Sequence, residues 1–307
     1  MILAAGLTPA WQQILRFARL QIGEVNRAQE AVWCGSGKVL NVAIALAHLG
    51  AECEMISPLG GTALEPIARE FAELGISSHW IATQAPTRVC TTLLDEATER
   101  TTELVENASA LALRELDAFM ETYTASAAHA DVVVLSGSLT PGAGEDFYRE
   151  LLRRTPGRAI VDARGAELLA ALAEKPWVIK PNREELARTV GRQLETDEHV
   201  REAMHELIQR GAQWVVVTQG SAPVWVASAE RAVRIRVPRA ASVINPIGCG
   251  DCLAAGLAWG LAEGEEMIDA VKLGMAAAAD NLSQLLPGRL DPLRVRRAAA
   301  AIDVEDR

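Results

Sequence analysis

Two hydrophobic periods alternate along this chain. Asp131-Val-Val-Val-Leu135, Ala159-Ile-Val161, Trp177-Val-Ile179 and Trp214-Val-Val-Val217 are short, nearly continuous apolar runs, which predict parallel strands buried on both faces. Between and around them, apolar residues recur on a helical period. This predicts helices over Lys38–Leu49, Leu64–Leu74, Ala110–His129, Gly144–Arg154, Thr196–Arg210 and Gly248–Ala262, with Gly50 and Gly75 where the first two stop. Such alternation predicts an α/β fold: a mostly parallel sheet with helices on both faces.

Two stretches break the alternation, at about 11–36 and 84–106. The first mixes polar and apolar residues without a helical stripe. The second alternates as strands, Arg88–Asp95 and Arg100–Val105 around a polar turn, and reads as a hairpin. Two strand-rich insertions into one α/β domain spanning 1–307 predict a small separate sheet. Its natural place is a lid over the C-terminal ends of the parallel strands, where ligands bind in such folds. There is no internal repeat.

Composition narrows the function classes. Half of the 307 residues are apolar, enough for a large core. The net charge of −10 disfavours sequence-independent nucleic-acid binding, which needs a basic footprint. Cys252–Ala262, the most apolar later stretch, is too short to span a bilayer, and Met1–Leu15 lacks the basic start of a secretory signal. No membrane or nucleic-acid partner is expected. Five scattered cysteines argue against a disulfide framework and for a reducing cytoplasm. Cys249 and Cys252 are formally a C-x-x-C pair, but without a second pair or nearby histidines they make a poor zinc site.

The chemistry concentrates in glycine turns that feed helices. In Asn245-Pro-Ile-Gly-Cys-Gly-Asp251, glycines directly precede an apolar helical pattern, so backbone N–H groups and the helix dipole can converge on an anion. Asp251 then stands beside bound anionic oxygen, an arrangement suited to phosphoryl transfer. A capping carboxylate after a glycine turn is the equal alternative. Gly35-Ser-Gly-Lys38 is not a P-loop: Val32 stands where the first Gly is needed and Val39 where Ser or Thr is needed. It remains a glycine turn that can hold a sugar hydroxyl or a phosphate. Ser136-Gly-Ser-Leu-Thr-Pro-Gly142, Lys180-Pro-Asn-Arg-Glu-Glu185 and Thr218-Gln-Gly220 each follow a strand and put small or polar groups on one rim.

Taken in order with Leu7-Thr-Pro-Ala10, Gly23-Glu-Val-Asn-Arg27, Leu59-Gly-Gly61 and Arg88, these motifs resemble the ribokinase-like sugar kinases of the PfkB type over essentially the whole chain. The branch they most resemble is that of 1-phosphofructokinase and tagatose-6-phosphate kinase. The resemblance implies a ribokinase-like three-layer α/β/α sandwich with a β-sheet lid. It implies ATP and Mg²⁺ as cofactors and a phosphorylated ketohexose as acceptor. It makes Asp251 the general base and gives the anion-hole N–H groups to Gly248, Cys249 and Gly250. Asn182, Glu185, Thr218, Gly220 and Asn245 fall to ATP, with Glu185 reaching Mg²⁺ through water. Gln12, Gly37, Lys38, Asn41, Arg88 and Ser136 fall to the acceptor, Lys38 and Arg88 gripping its existing phosphate.

The sugar side departs from the family pattern. Gln12 replaces a carboxylate, and its amide offers one acceptor oxygen. Val39 replaces a glycine and is expected to narrow the approach. These changes keep open a non-catalytic sugar-phosphate or nucleotide sensor, and a kinase of an unphosphorylated sugar or nucleoside. A dinucleotide dehydrogenase is disfavoured, since no G-x-G-x-x-G follows the first strand. Trp11 and Trp33 fall in the lid, and its edges and apolar positions are compatible with a homodimer through the lid.

Overall fold

The computed structural model describes residues 1–238 and 242–306. The chain runs β1 (Ile2–Ala5), β2 (Ala10–Phe17), β3 (Glu30–Ser36), α1 (Lys38–His48), β4 (Cys53–Leu59), α2 (Leu64–Glu73), β5 (Ser77–Ala82), β6 (Val89–Asp95), β7 (Arg100–Val105), α3 (Leu113–Ala127), β8 (Val132–Ser136), α4 (Phe147–Leu152) and β9 (Arg158–Asp162). It continues through α5 (Gly165–Ala171), β10 (Val178–Ile179), α6 (Arg183–Val190), α7 (Asp197–Gln209), β11 (Trp214–Gln219), β12 (Ala222–Ala227), β13 (Ala232–Ile235), α8 (Cys249–Ala262), α9 (Met267–Asn281), α10 (Pro292–Ala300) and β14 (Val304–Asp306).

Ten strands form the central sheet in the order β14-β13-β12-β11-β10-β9-β8-β1-β4-β5. From β5 to β11 every pairing is parallel, and β11 to β14 add an antiparallel edge. Strand side chains alternate between two cores. Ile2 and Ala4 join a cluster with α1, α2, α8, α9 and α10, while Leu3 and Ala5 join one with α3 to α7. Helices therefore cover both faces, giving the three-layer α/β/α sandwich that the alternation predicts. On one face α8 and α9 approach backbone to backbone, and a Cβ on Gly256 would come 2.7 Å from Gly274 Cα.

The two interrupting stretches supply a second sheet of order β3-β2-β6-β7, with β2 and β6 parallel and each flanked by an antiparallel partner. Its inner face carries Gln12, Ile14, Cys34, Cys90 and Leu94, and Ile14, Cys34 and Leu94 pack on Leu285 and Leu286. On its other face Trp11 and Trp33 stack with ring centroids 5.4 Å apart, and Trp11 also packs against the main core. Val39 lies in the main core and does not line the cleft, so the expected narrowing does not occur. The reason is its place on α1, one residue past Lys38, on the side facing Gly6. Among the described residues, no helix is long and apolar enough to cross a membrane.

Candidate active site

A cleft of about 470 Å³ opens between the lid and the C-terminal ends of the central strands. Most of the residues singled out by the motifs line it: Gln12, Gly37, Lys38, Asn41, Arg88, Asn182, Glu185, Thr218, Gly248, Cys249, Gly250 and Asp251. An adjoining cavity of about 840 Å³ shares Asn182 and Thr218 with it and includes Gly220.

Asp251 stands in the first turn of α8, which is capped by Gly248 at φ 83°. Only glycine suits that turn, since a Cβ would also come 2.9 Å from Pro287 Cβ. The first-turn N–H groups of a helix have no intrahelical partner, and Gly250 is exposed to the cleft. The Cys249 N–H leans on Pro246 O at 3.4 Å, so it is less free than Gly250 to meet an anion. Asp251 is buried and accepts a hydrogen bond from Asn41 Nδ2 at 2.7 Å. Burial pushes its carboxyl up to about 7, with Asp162 adding to the rise and Lys38, Asn41 and Lys180 opposing it.

Charges around Asp251 form a closed network. Asp162, fully buried at the end of β9, pairs with Lys38 at 3.0 Å and Lys180 at 3.2 Å. Lys38 also reaches Glu185 Oε1 at 3.4 Å. Burial alone would raise the Asp162 carboxyl, but the two ammonium groups hold it below its ordinary value. Burial works against the Lys38 charge, yet Asp162, Glu185 and Asp251 together raise its pKa. Lys180 is buried beside the first turn of α8, where a Cβ on Gly250 would lie 3.7 Å from its Nζ. Motif reading passed over Asp162 and Lys180 as site residues. The available signal was an acidic residue closing a buried parallel strand, Ala159-Ile-Val-Asp162, and a lysine closing the next, Val178-Ile-Lys180.

Asn182 and Glu185 make a reciprocal capping box at the start of α6. Asn182 Oδ1 accepts from the Glu185 N–H at 2.8 Å, and Glu185 Oε2 accepts from the Asn182 N–H at 2.9 Å. That leaves Glu185 Oε1 toward Lys38 and the cleft. Gln12 donates from Nε2 to Thr92 Oγ1 at 2.6 Å, so its Oε1 is left without a partner among the described residues and is the acceptor it offers.

Two expected site residues, Ser136 and Asn245, lie outside the cleft, and two that line it, Asn41 and Lys38, are already held by other groups. Ser136 is wholly buried at the end of β8 and does not line the cleft, because it falls at an inward position of a strand covered on both faces. Asn245 is also buried. It donates to the Leu285 carbonyl at 2.8 Å and accepts from the Ile247 N–H at 3.0 Å, so it shapes the loop ahead of α8 from behind. The Asn41 amide nitrogen is held by Asp251, and its Oδ1 accepts from Ser36 Oγ at 3.1 Å. Lys38 is committed to carboxylates.

A further buried amide supports the same loop. Asn281, the last residue of α9, donates to Ile247 O at 2.9 Å and to Cys249 Sγ at 3.4 Å. Its Oδ1 accepts from the Gly288 N–H at 2.8 Å and from Cys252 Sγ at 3.3 Å. All four hydrogen-bonding positions of the amide are used. Asn281→Ala therefore frees the loop that leads into α8. Steady-state kinetics should show kcat falling about 10- to 100-fold while KM for ATP changes less, the loss expected when transition-state donors drift.

A lidded α/β/α sandwich that brings a helix N-terminus, a buried carboxylate and two lysines into one cleft suits phosphoryl transfer. Residues 12–289 match the model of the pfkB family carbohydrate kinases, and the chain belongs to that family. It is an ATP-dependent sugar kinase. Among solved structures, Escherichia coli phosphofructokinase-2 in complex with fructose-6-phosphate is 27% identical, with a TM-score of 0.87 over 98% of this chain and 99% of that chain. The tetrameric inhibited form of the same enzyme is 26% identical, with a TM-score of 0.88 over 97% and 98%. Arabidopsis thaliana ribokinase complexed with ribose and ATP shares the fold at 18% identity, with a TM-score of 0.74 over 97% and 98%.

Proposed function

We propose that this kinase transfers the γ-phosphoryl group of ATP to a hydroxyl of a phosphorylated ketohexose, of the tagatose 6-phosphate or fructose 1-phosphate type. The observation that carries this reading is Asp251. It is a buried carboxylate with a pKa raised to about 7, one residue from an exposed glycine in the first turn of α8. A base tuned near neutrality can take the acceptor's proton while the α8 N–H groups and Lys180 balance charge on the transferring group. The E. coli relative seen with fructose-6-phosphate supports a ketohexose phosphate as the acceptor class.

In this reading the acceptor lies between the lid and Asp251, with Gln12 Oε1 accepting from one of its hydroxyls. The polyphosphate of ATP runs from Gly250 past Asn182 and Thr218 toward Gly220. The hard carboxylate oxygen Glu185 Oε1 faces the cleft and suits Mg²⁺, which keeps several waters, so it would hold the ion through water. When bound, the ion neutralises phosphate charge. Residues 1–307 act as one α/β domain whose lid, drawn from about 11–36 and 84–106, excludes water as a competing acceptor. The lid exposes Trp33 and Leu104, and a second copy covers them to form a homodimer. Five unpaired thiols and the use of ATP suit the cytoplasm.

A coupled ADP-release assay over ketohexose phosphates and free sugars tests the reading. The expected result is turnover with at least one ketohexose phosphate that exceeds turnover with every free sugar. ATP binding without turnover on the whole panel would instead mark a sensor.

A further inference from the structure

We infer that Arg164 takes the existing phosphate of the acceptor, a role the motifs give to Lys38 and Arg88. The inference rests on the phosphorylated-acceptor reading and adds the residue that makes the phosphate matter. Among the described residues, four cations line the cleft: Lys38, Arg88, Arg164 and Lys180. Three have partners already. Lys38 bridges Asp162 and Glu185, and Lys180 is paired with Asp162. Arg88 gives three of its five N–H groups to backbone carbonyls, those of Pro9 at 3.3 Å, Thr8 at 3.2 Å and Glu106 at 3.4 Å. Its guanidinium therefore braces the lid against the β1–β2 loop.

Arg164 differs. It is exposed, lines the cleft, and makes no hydrogen bond or ion pair among the described residues. It leaves the end of β9 in an extended conformation, φ −145° and ψ 166°, immediately ahead of α5. The neighbouring strand β8 brings its own loop alongside, Ser136 standing opposite Asp162 and the Gly137 N–H donating to Asp162 O at 3.2 Å. The cation thus stands on the rim of the cleft, two residues from the carboxylate that anchors both lysines. Glu103 and Val105 of β7 belong to the same lining, so the lid closes over the same space.

Energetics favour this assignment. For Lys38 to grip a substrate phosphate it would have to leave a buried carboxylate, and breaking a buried pair is costly. An unpaired guanidinium at the rim has no such contact to give up. Its planar fork matches a phosphate with two parallel N–H donors. The phosphate end of the acceptor would then lie at the rim, with the reacting hydroxyl deeper, beside Asp251.

The test compares wild type, Arg164→Ala and Arg164→Lys. Their kcat and KM are measured for fructose 1-phosphate, fructose 6-phosphate and tagatose 6-phosphate, for free fructose, and for ATP. Wild type should favour a phosphorylated sugar. Arg164→Ala should raise KM for that sugar about 30-fold, the loss of a charge-assisted pair of hydrogen bonds, while kcat, KM for ATP and any activity on free fructose change less than about threefold. Arg164→Lys should fall between. If Arg164→Ala leaves KM for the phosphorylated sugar unchanged, or raises KM for ATP instead, the assignment is wrong while the phosphorylated-acceptor reading stands. If wild type does not favour phosphorylated sugars, both fail together. Exposure of Arg164 keeps the fold out of the comparison.

Discussion

Asp251→Asn should abolish phosphoryl transfer and stabilise the protein at once. The amide cannot accept the acceptor's proton, so kcat falls by about 10²- to 10⁴-fold, the range for losing a positioned base. ATP binding should persist, because Asp251 is assigned to the acceptor side. The stability change follows from the sign of the shift. The Asp251 carboxyl titrates near 7 in the folded protein and near its ordinary value when unfolded. Between about pH 4 and 7 the folded state holds a proton that the unfolded chain has released, so stability falls as pH rises through that window. Above it the cost of a buried carboxylate is fully present, and an uncharged amide does not bear it. Thermal unfolding at pH 8 should give a higher Tm for the variant. In wild type, kcat/KM should rise with pH up to about 7 and then level. A variant with near-normal kcat, or a flat pH profile, contradicts the role given to Asp251.

Asp162→Asn should be the most damaging change to the fold around the site. It removes the carboxylate shared by Lys38 and Lys180, and Lys180 is almost wholly buried. Leaving a buried charge without its partner costs about 3–5 kcal/mol, which for a chain of this size lowers Tm by roughly 5–8 °C. The same change should move the titration of Asp251, the proposed base. Asp162 raises the Asp251 carboxyl while Lys38 and Lys180 lower it, so removing Asp162 should shift the acid limb of kcat/KM below 7 in whatever protein remains folded. A purely structural role for Asp162 would lower Tm without moving that limb. Asp162→Glu keeps the charge and should recover most of the stability.

Much of the fold was legible because its parallel strands are buried on both faces and advertise themselves as apolar runs. Val132–Ser136 and Arg158–Asp162 lie within a residue or two of where the pattern put them. The lid was legible from the loss of helical period. The antiparallel edge was not: Pro223 interrupts the apolar pattern of β12, and β14 is three residues long. Most motif residues do converge on the cleft, since glycine turns before helices carry a strong local signal. Contacts between distant residues left none. Asn41 meets Asp251 across 210 positions, and Lys38 meets Asp162 across 124, so their roles as positioning and charge-balancing groups emerged only from the packing. Ser136 shows the converse: a motif position whose strand geometry turns it into the core.

The Asp251 cleft is proposed to move the γ-phosphoryl group onto a sugar that already carries a phosphate. The direct measurement follows a label from the γ-position of ATP in the presence of each ketohexose phosphate. The label is predicted to appear in a sugar bisphosphate with wild type and to remain in ATP with Asp251→Asn. Label released only as inorganic phosphate, or carried only by a sugar monophosphate formed from free sugar, would contradict it.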